Sequence, residues 1–440
     1  MNHRTKLGWL IWAWLLAQSA SVHAQSPYVT EINADGNSVA IIGYLGSGGA
    51  VSIPYSLNGL TVTALGDFSF ANCSNLTSIS FSGGGIASIG QGTFSNCTRL
   101  TSFAFSGGSL TNIGDSAFFG SGLTGVSIPG SGPGQVSVTL GANVCAGCPH
   151  LTSVAFNYGA TTIPAGMFYQ CSTLGNITIP ASVTNIGLAA LADCTNLASI
   201  SVNAGSTSYS TVSGVLFNYN KSTLVQYPAK LSGSSYTVPA TVTNIAADAF
   251  MGCSNLRGLT LPSSLINIGD NAFYGCTSLT TLTLPVGVTN IGTNVFYGCT
   301  SLESITVNSP NPAFASVSGV LYNGTTNVLL QVPDKLGGTL TIPTNVTSIA
   351  GAAFAGCNVT GVGIPASITN LTDVFGFCPQ ISSVSLSGNN TNYSDYSGVL
   401  YNYRETSLVY YPGGKTGNYV IPLGQQNSWV ICGSGSFPKL

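Results

Sequence analysis

The chain has 440 residues, only 5% of them charged, with 10 Lys and Arg against 12 Asp and Glu and a formal net charge of −2. Binding nucleic acid by neutralising phosphates needs a basic stripe, and this composition supplies none. Disorder is excluded as well, because 44% of the residues are hydrophobic and regularly placed despite 55 glycines.

The first predicted element is an address. Residues 1–24 read as a secretory signal peptide: Arg4 and Lys6 precede an apolar run from Leu7 to Ala17, and Val22-His23-Ala24 supplies small residues for cleavage. That run is too short to cross a bilayer, and no later stretch reaches the roughly 18 unbroken apolar residues of a membrane helix. A chain that is secreted or held at the cell surface is expected, with no integral membrane segment after cleavage. Loss of the leader leaves His150 as the last histidine.

Residues 25–60 are expected to cap the structure and residues 61–422 to form its repeats. The clearest copies are IGDNAFYGCTSLTTLTLP, Ile268 to Pro285, and IGTNVFYGCTSLESITV, Ile291 to Val307. Cys148, Cys171 and Cys194 are spaced 23 residues apart, and so are Cys253, Cys276 and Cys299. A fixed period in the twenties signals a solenoid, in which each coil buries its apolar edge only by stacking on its neighbours.

Within a coil, Leu279, Leu282 and Leu284 alternate with threonines, and this period of two predicts a strand whose apolar side chains point inward. Prolines such as Pro180, Pro262 and Pro285 end these strands, since they donate no ladder hydrogen bond. A second apolar pair follows (Val288/Ile291), and then an aromatic column that includes Phe70, Phe94, Phe118, Phe273 and Phe296. The stretch leading to each aromatic residue predicts a short helical turn, with Asp67, Asp115 and Asp270 as its N-caps.

Cys194 to Cys253 spans 59 residues and Cys299 to Cys357 spans 58, so two coils are expanded. The additions match: VSGVLFNYNKSTLVQYP from Val212 to Pro228 and VSGVLYNGTTNVLLQVP from Val317 to Pro333, with a third, YSGVLYNYRETSLVYYP, from Tyr396 to Pro412. Two apolar runs around a polar turn predict β-hairpin insertions, near residues 203–239, 308–343 and 389–422. Residues 423–440 lose the pattern and read as a diverged or truncated tail.

The IGxxAFxxCxxLxxIxIP repeat, with its GVLYN…LVxYP additions, resembles the BspA-like leucine-rich repeat proteins. The resemblance covers about Val51 to Pro422. It implies a leucine-rich-repeat β-solenoid, or horseshoe, with a parallel β-sheet, short helical turns on the opposite side and three β-hairpin insertions. It also implies a non-enzymatic, secreted or surface-displayed bacterial protein that binds an extracellular protein or glycan, with adhesion as one use. Ser121 in the cysteine column and Cys145 and Leu191 in the aromatic column depart from the pattern.

Twelve cysteines in a secreted chain invite disulfides. Ten share one inward column, which favours buried free thiols, with scattered bridges as the alternative. Cys145, Cys148 and His150 offer a CxxC with a nearby imidazole but no second ligand pair, so no metal and no cofactor are expected. No G-x-S-x-G elbow, P-loop or HExxH occurs, and the one histidine lies inside a core-forming repeat. Chemistry then falls to the sheet's outward hydroxyls. Thr178, Thr260, Thr280, Thr281, Thr283, Ser304 and Thr306 form the candidate ligand face, with Tyr219, Tyr322, Tyr401 and Tyr403 as exposed stacking partners. A structural matrix protein that associates with itself is the alternative, and a glycan-active enzyme a third.

Overall fold

The structure, a computed structural model, describes residues 26–420 apart from residues 84, 104–108, 130–137, 373, 377 and 389. The expected signal peptide (1–24) and tail (423–440) lie outside the described residues. The chain folds as a β-solenoid of about 14 turns. No helix occurs among the described residues.

Each regular coil contributes to three stacked rows. The LxxLxL strands form the first row: Ser235–Thr237, Gly258–Thr260, Thr281–Leu284 and Ser304–Val307 pair in parallel, with Leu282 opposite Ile305 and Thr283 opposite Thr306. Short rungs form the second row, where Asn267–Ile268 lies between Asn244–Ile245 and Asn290–Ile291. Two residues make too few bonds to hold a strand alone, so these rungs exist through stacking. Leu279, Leu284 and Ile268 are fully buried between the rows.

The third row replaces the expected helical turns. In residues 269–276 the N–H groups of Ala272, Tyr274 and Cys276 donate within the coil to the carbonyls of Gly269, Asn271 and Phe273, at 3.3, 2.9 and 3.1 Å. The N–H groups between them leave the coil: Asn271 donates to Thr293, Phe273 to Val295 and Gly275 to Tyr297, at 2.9, 3.1 and 2.9 Å. A helix keeps its interior N–H groups inside the segment. Here alternate ones tie neighbouring coils together. Such alternation needs a left-handed residue on either side of the aromatic position, and Asn271 (φ 52°) and Gly275 (φ 69°) supply it.

The aspartates therefore are not caps of their own turns. Asp67, Asp115 and Asp270 each accept a backbone N–H from the following coil, of Gln91, Ala142 and Thr293, at 2.8, 2.7 and 2.6 Å. They staple coils together.

The expected hairpin insertions also differ. Each is a three-stranded antiparallel meander: Tyr209–Val212, Val215–Asn218 and Thr223–Gln226 in the first, Phe314–Val317, Val320–Asn323 and Val328–Gln331 in the second, Tyr393–Tyr396, Val399–Asn402 and Leu408–Tyr410 in the third. Nothing is hung on the outside, because Thr223–Gln226 and Val328–Gln331 rejoin the second row, paired in parallel with Asn244–Ile245 and Ser348–Ile349. The middle strand is a wall between core compartments. Leu216 packs with the coils before it, while Val215 and Phe217 pack with those after it; Leu321 and the pair Val320/Tyr322 repeat this at the second meander. The turn before that strand closes the edge of the first row, where the carbonyls of Gly214, Gly319 and Gly398 accept the N–H groups of Ile200, Ile305 and Val384 at 2.9, 2.8 and 2.9 Å.

Close stacking explains the glycine that opens most third-row segments, where Pro164, Ala246 and Ala350 are among the exceptions. A Cβ on Gly292 would sit 2.5 Å from the backbone nitrogen of Asp270, whereas one on Gly351 would meet nothing within 4 Å. Gly292→Ala is expected to destabilise the solenoid by about 2 kcal/mol, and Gly351→Ala to leave it unchanged. Urea unfolding midpoints of the two variants test this.

Candidate binding surface

The outward side chains of the first row are set by the pleat: with Leu282 and Leu284 buried, Thr281 and Thr283 must face out. Thr260, Thr281, Thr283 and Thr306 are exposed and lie together on three adjacent strands. The Thr283 and Thr306 hydroxyls are hydrogen-bonded to each other at 2.8 Å. Thr178 is exposed too, but it sits on a separate pair, Asn176–Ile179 with Ser199–Val202, where its hydroxyl meets that of Ser201 at 2.9 Å. The first meander parts the two groups.

Thr280 and Ser304 are half-buried. The Thr280 hydroxyl donates to the Arg257 carbonyl at 3.3 Å, so it serves the stack rather than a ligand. Ser304 lies under the turn of the second meander, so close that a Cβ on Gly319 would stand 2.8 Å from its own. Sequence reasoning missed Ser235 and Thr237, both exposed on the strand beside Gly258–Thr260, with Thr237 opposite Thr260. The signal was present: TVP followed by VTNI in the first expanded coil matches TIP followed by VTSI in the second. The face is thus a register-matched row of Thr237, Thr260, Thr283 and Thr306, spanning about 14 Å at normal strand spacing. Beside it stands one ion pair, Lys335–Glu303 at 2.6 Å. Both partners are exposed, so the pair adds little to stability.

Tyr219 and Tyr403 are each 60% exposed. Tyr322 and Tyr401, expected alongside them, are buried instead, because they lie on middle meander strands covered on both faces.

The described cysteines are all free: ten are buried and Cys73 is half-buried. Their thiols have a definite bonding role. The Sγ of Cys276 donates to the Phe250 carbonyl and that of Cys299 to the Phe273 carbonyl, at 3.2 and 3.1 Å, while the N–H groups of Cys253 and Cys276 occupy the same two carbonyls. A small weak donor from the next coil completes these aromatic-column carbonyls. Burial pushes the thiols of Cys97 and Cys194 up to about 12 and that of Cys148 to about 11, far from the thiolate form that reacts. Cys145 and Cys148 face the core, whereas His150 is exposed. Among the described residues, no cluster of three or more His, Cys, Asp or Glu side chains is arranged to hold a metal ion. Alkylation of the native protein is expected to modify Cys73 before any other described cysteine, as read by peptide mass mapping.

The model of the BspA type leucine rich repeat region matches residues 51–132, 138–233, 226–318 and 337–410. The chain belongs to the BspA-type leucine-rich repeat family. Among solved structures it is similar to a leucine rich cell surface protein from Faecalibacterium prausnitzii, at 24% identity over 85% of this chain and 96% of that one, with a TM-score of 0.54. It is also similar to the pneumococcal vaccine antigen PcpA, at 21% identity over 85% and 95% of the two chains, with a TM-score of 0.55. These likenesses establish the fold. A search of curated proteins finds no match.

One buried acid of this BspA-type chain went unnoticed in the sequence. Asp334 follows the last strand of the second meander, is 1% exposed, and neither carboxylate oxygen makes a well-formed hydrogen bond among the described residues. Burial raises its pKa to about 6; the nearby Gly298 N–H favours the charged form, but only in part. The folded state therefore binds this proton more tightly than the unfolded chain does. Its contribution is most favourable below the unfolded value of 3.8 and is lost as pH rises to about 6. Asp334→Asn is expected to raise stability at pH 7 by up to about 3 kcal/mol and to change it little near pH 4. Unfolding midpoints of both proteins across that range test the sign.

Proposed function

We propose that this protein is a secreted or cell-surface binding protein, non-enzymatic and without a cofactor, that engages an extracellular protein or glycan through its hydroxyl face. In this reading residues 1–24 direct export, 25–60 cap the solenoid, 61–422 form its repeats and 423–440 are a tail. The observation that carries it is the exposed row of Thr237, Thr260, Thr283 and Thr306, aligned in register on a rigid parallel sheet. Each hydroxyl both donates and accepts, as sugar hydroxyls and peptide groups do. The description of the Faecalibacterium prausnitzii neighbour as a cell surface protein supports the location. No helix among the described residues is long and apolar enough to cross a membrane.

A face with so little charge predicts binding that changes little between roughly 0.05 and 0.5 M salt, since screening has few charges to act on. The test is a glycan and matrix-protein array with purified protein, repeated with Thr260→Arg/Thr283→Arg. Saturable hits that the double variant loses, at unchanged thermal stability, are expected. Concentration-dependent assembly without such hits favours a self-associating matrix protein, and hydrolysis of any glycan overturns both readings.

A further inference from the structure

Where a regular coil meets a meander, the third row loses a rung. In regular coils the N–H at the first left-handed position and that of the aromatic residue reach the next coil, as Asn271 and Phe273 reach Thr293 and Val295. The equivalents one coil later, Asn294 and Phe296, have no backbone acceptor among the described residues. The chain that should supply one, Val328–Gln331, is held in the meander. On the far side of the gap stands Gly351. Its carbonyl holds the place that accepts such a bond in regular coils, as Asp270 accepts from Asp248 at 2.9 Å, and no described backbone donor reaches it. Between these walls lies a cleft of about 350 Å³, lined also by Leu330, Gln331 and Phe314.

The first meander makes the same cleft, but smaller. It holds about 170 Å³, between Ile186–Leu191 and Ala246–Ala247. There the hydroxyl of Tyr209 accepts the N–H of Ile186 at 2.9 Å, and at the third meander Tyr393 does the same for Leu371 at 3.1 Å. In the second meander the equivalent residue is Phe314, which pairs with Asn323 as Tyr209 pairs with Asn218. With no hydroxyl to meet it, the N–H of Ile291 joins those of Asn294 and Phe296 without an acceptor among the described residues.

We propose that the cleft at the second meander is a peptide-binding site, which takes one extended segment of a partner protein as the missing rung. Two coil spacings, about 10 Å, separate its walls, room for a single strand. Carbonyls of the segment accept from Asn294 and Phe296, and one of its N–H groups donates to Gly351, so backbone complementarity provides the recognition, as in strand addition at other open edges. An apolar side chain of the segment rests on Leu330 and Phe314. No charged residue lines the cleft, which selects a neutral segment of alternating small polar and branched apolar residues. This site stands apart from the hydroxyl face and does not depend on what that face binds.

The probe is the blocked peptide Ac-Thr-Val-Thr-Val-Thr-NH2, with an analogue N-methylated at alternate amides as its control. The readout is amide hydrogen exchange of residues 291–297 in the full chain at millimolar peptide. The parent peptide is expected to slow exchange at Asn294 and Phe296 by about fivefold, the effect of closing one ordinary backbone hydrogen bond, and the methylated analogue to leave it unchanged. Gly351→Trp, whose Cβ enters open space, is expected to abolish the protection. Phe314→Tyr is expected to reduce it at unchanged thermal stability, by supplying the hydroxyl found at the other two meanders. No slowing with the parent peptide, equal slowing with the methylated analogue, or protection that persists in Gly351→Trp overturns the proposal.

Discussion

The structure depends on one condition: every coil must find the next coil in register, because alternate backbone N–H groups of its third row have no acceptor of their own. Asn271, Phe273 and Gly275 all donate across the gap to the following coil. That condition fixes the repeat length and places left-handed residues on either side of each aromatic ring. It also keeps Gly292 and the glycines at the same place in other regular coils, such as Gly269, free of a Cβ. Most of what recurs in this sequence thus answers to the backbone. Recognition is left to side chains on the outer surface and to places where the condition lapses.

The first two rows were legible in the sequence because a period of two and a spacing of 23 leave little choice of register. The third row was not. Its apolar residues, Ala272, Phe273 and Cys276, fall where one face of a helix would put them, and Asp270 looks like a cap. The deciding feature is the sign of φ at Asn271 and Gly275, which a helical reading dismisses as poor helix formers. The meanders were visible as apolar runs, but the return of Val328–Gln331 to the second row is a register fact with no local signature. The same blindness misplaced Tyr322 and Tyr401: a strand buried on both faces has no outward side for a tyrosine to occupy. On the candidate face, Thr260, Thr281, Thr283 and Thr306 were readable from alternation, whereas the covering of Ser304 by a distant turn was not.

The meanders divide a continuous solenoid into compartments. The middle strands of the first two meanders give alternate side chains to the core before them and the core after them. At these joins the pattern admits what a regular coil excludes: a carboxylate without a well-formed hydrogen bond among the described residues at Asp334 and a phenyl ring in place of a tyrosine at Phe314. Both sit at the second meander. The departures from regularity are local, and they concentrate where stacking is already interrupted.

The thiol column has a consequence for how such a chain is made. In the finished solenoid column thiols such as those of Cys276 and Cys299 are sealed in the core and engaged with a carbonyl. In a half-stacked chain the same sulfurs lie one coil apart, close enough for an oxidant to bridge them. In an oxidising compartment, assembly is therefore a race between stacking and oxidation. Coils that close quickly on a finished neighbour win it, so growth from an already ordered end protects the fold better than nucleation at many points.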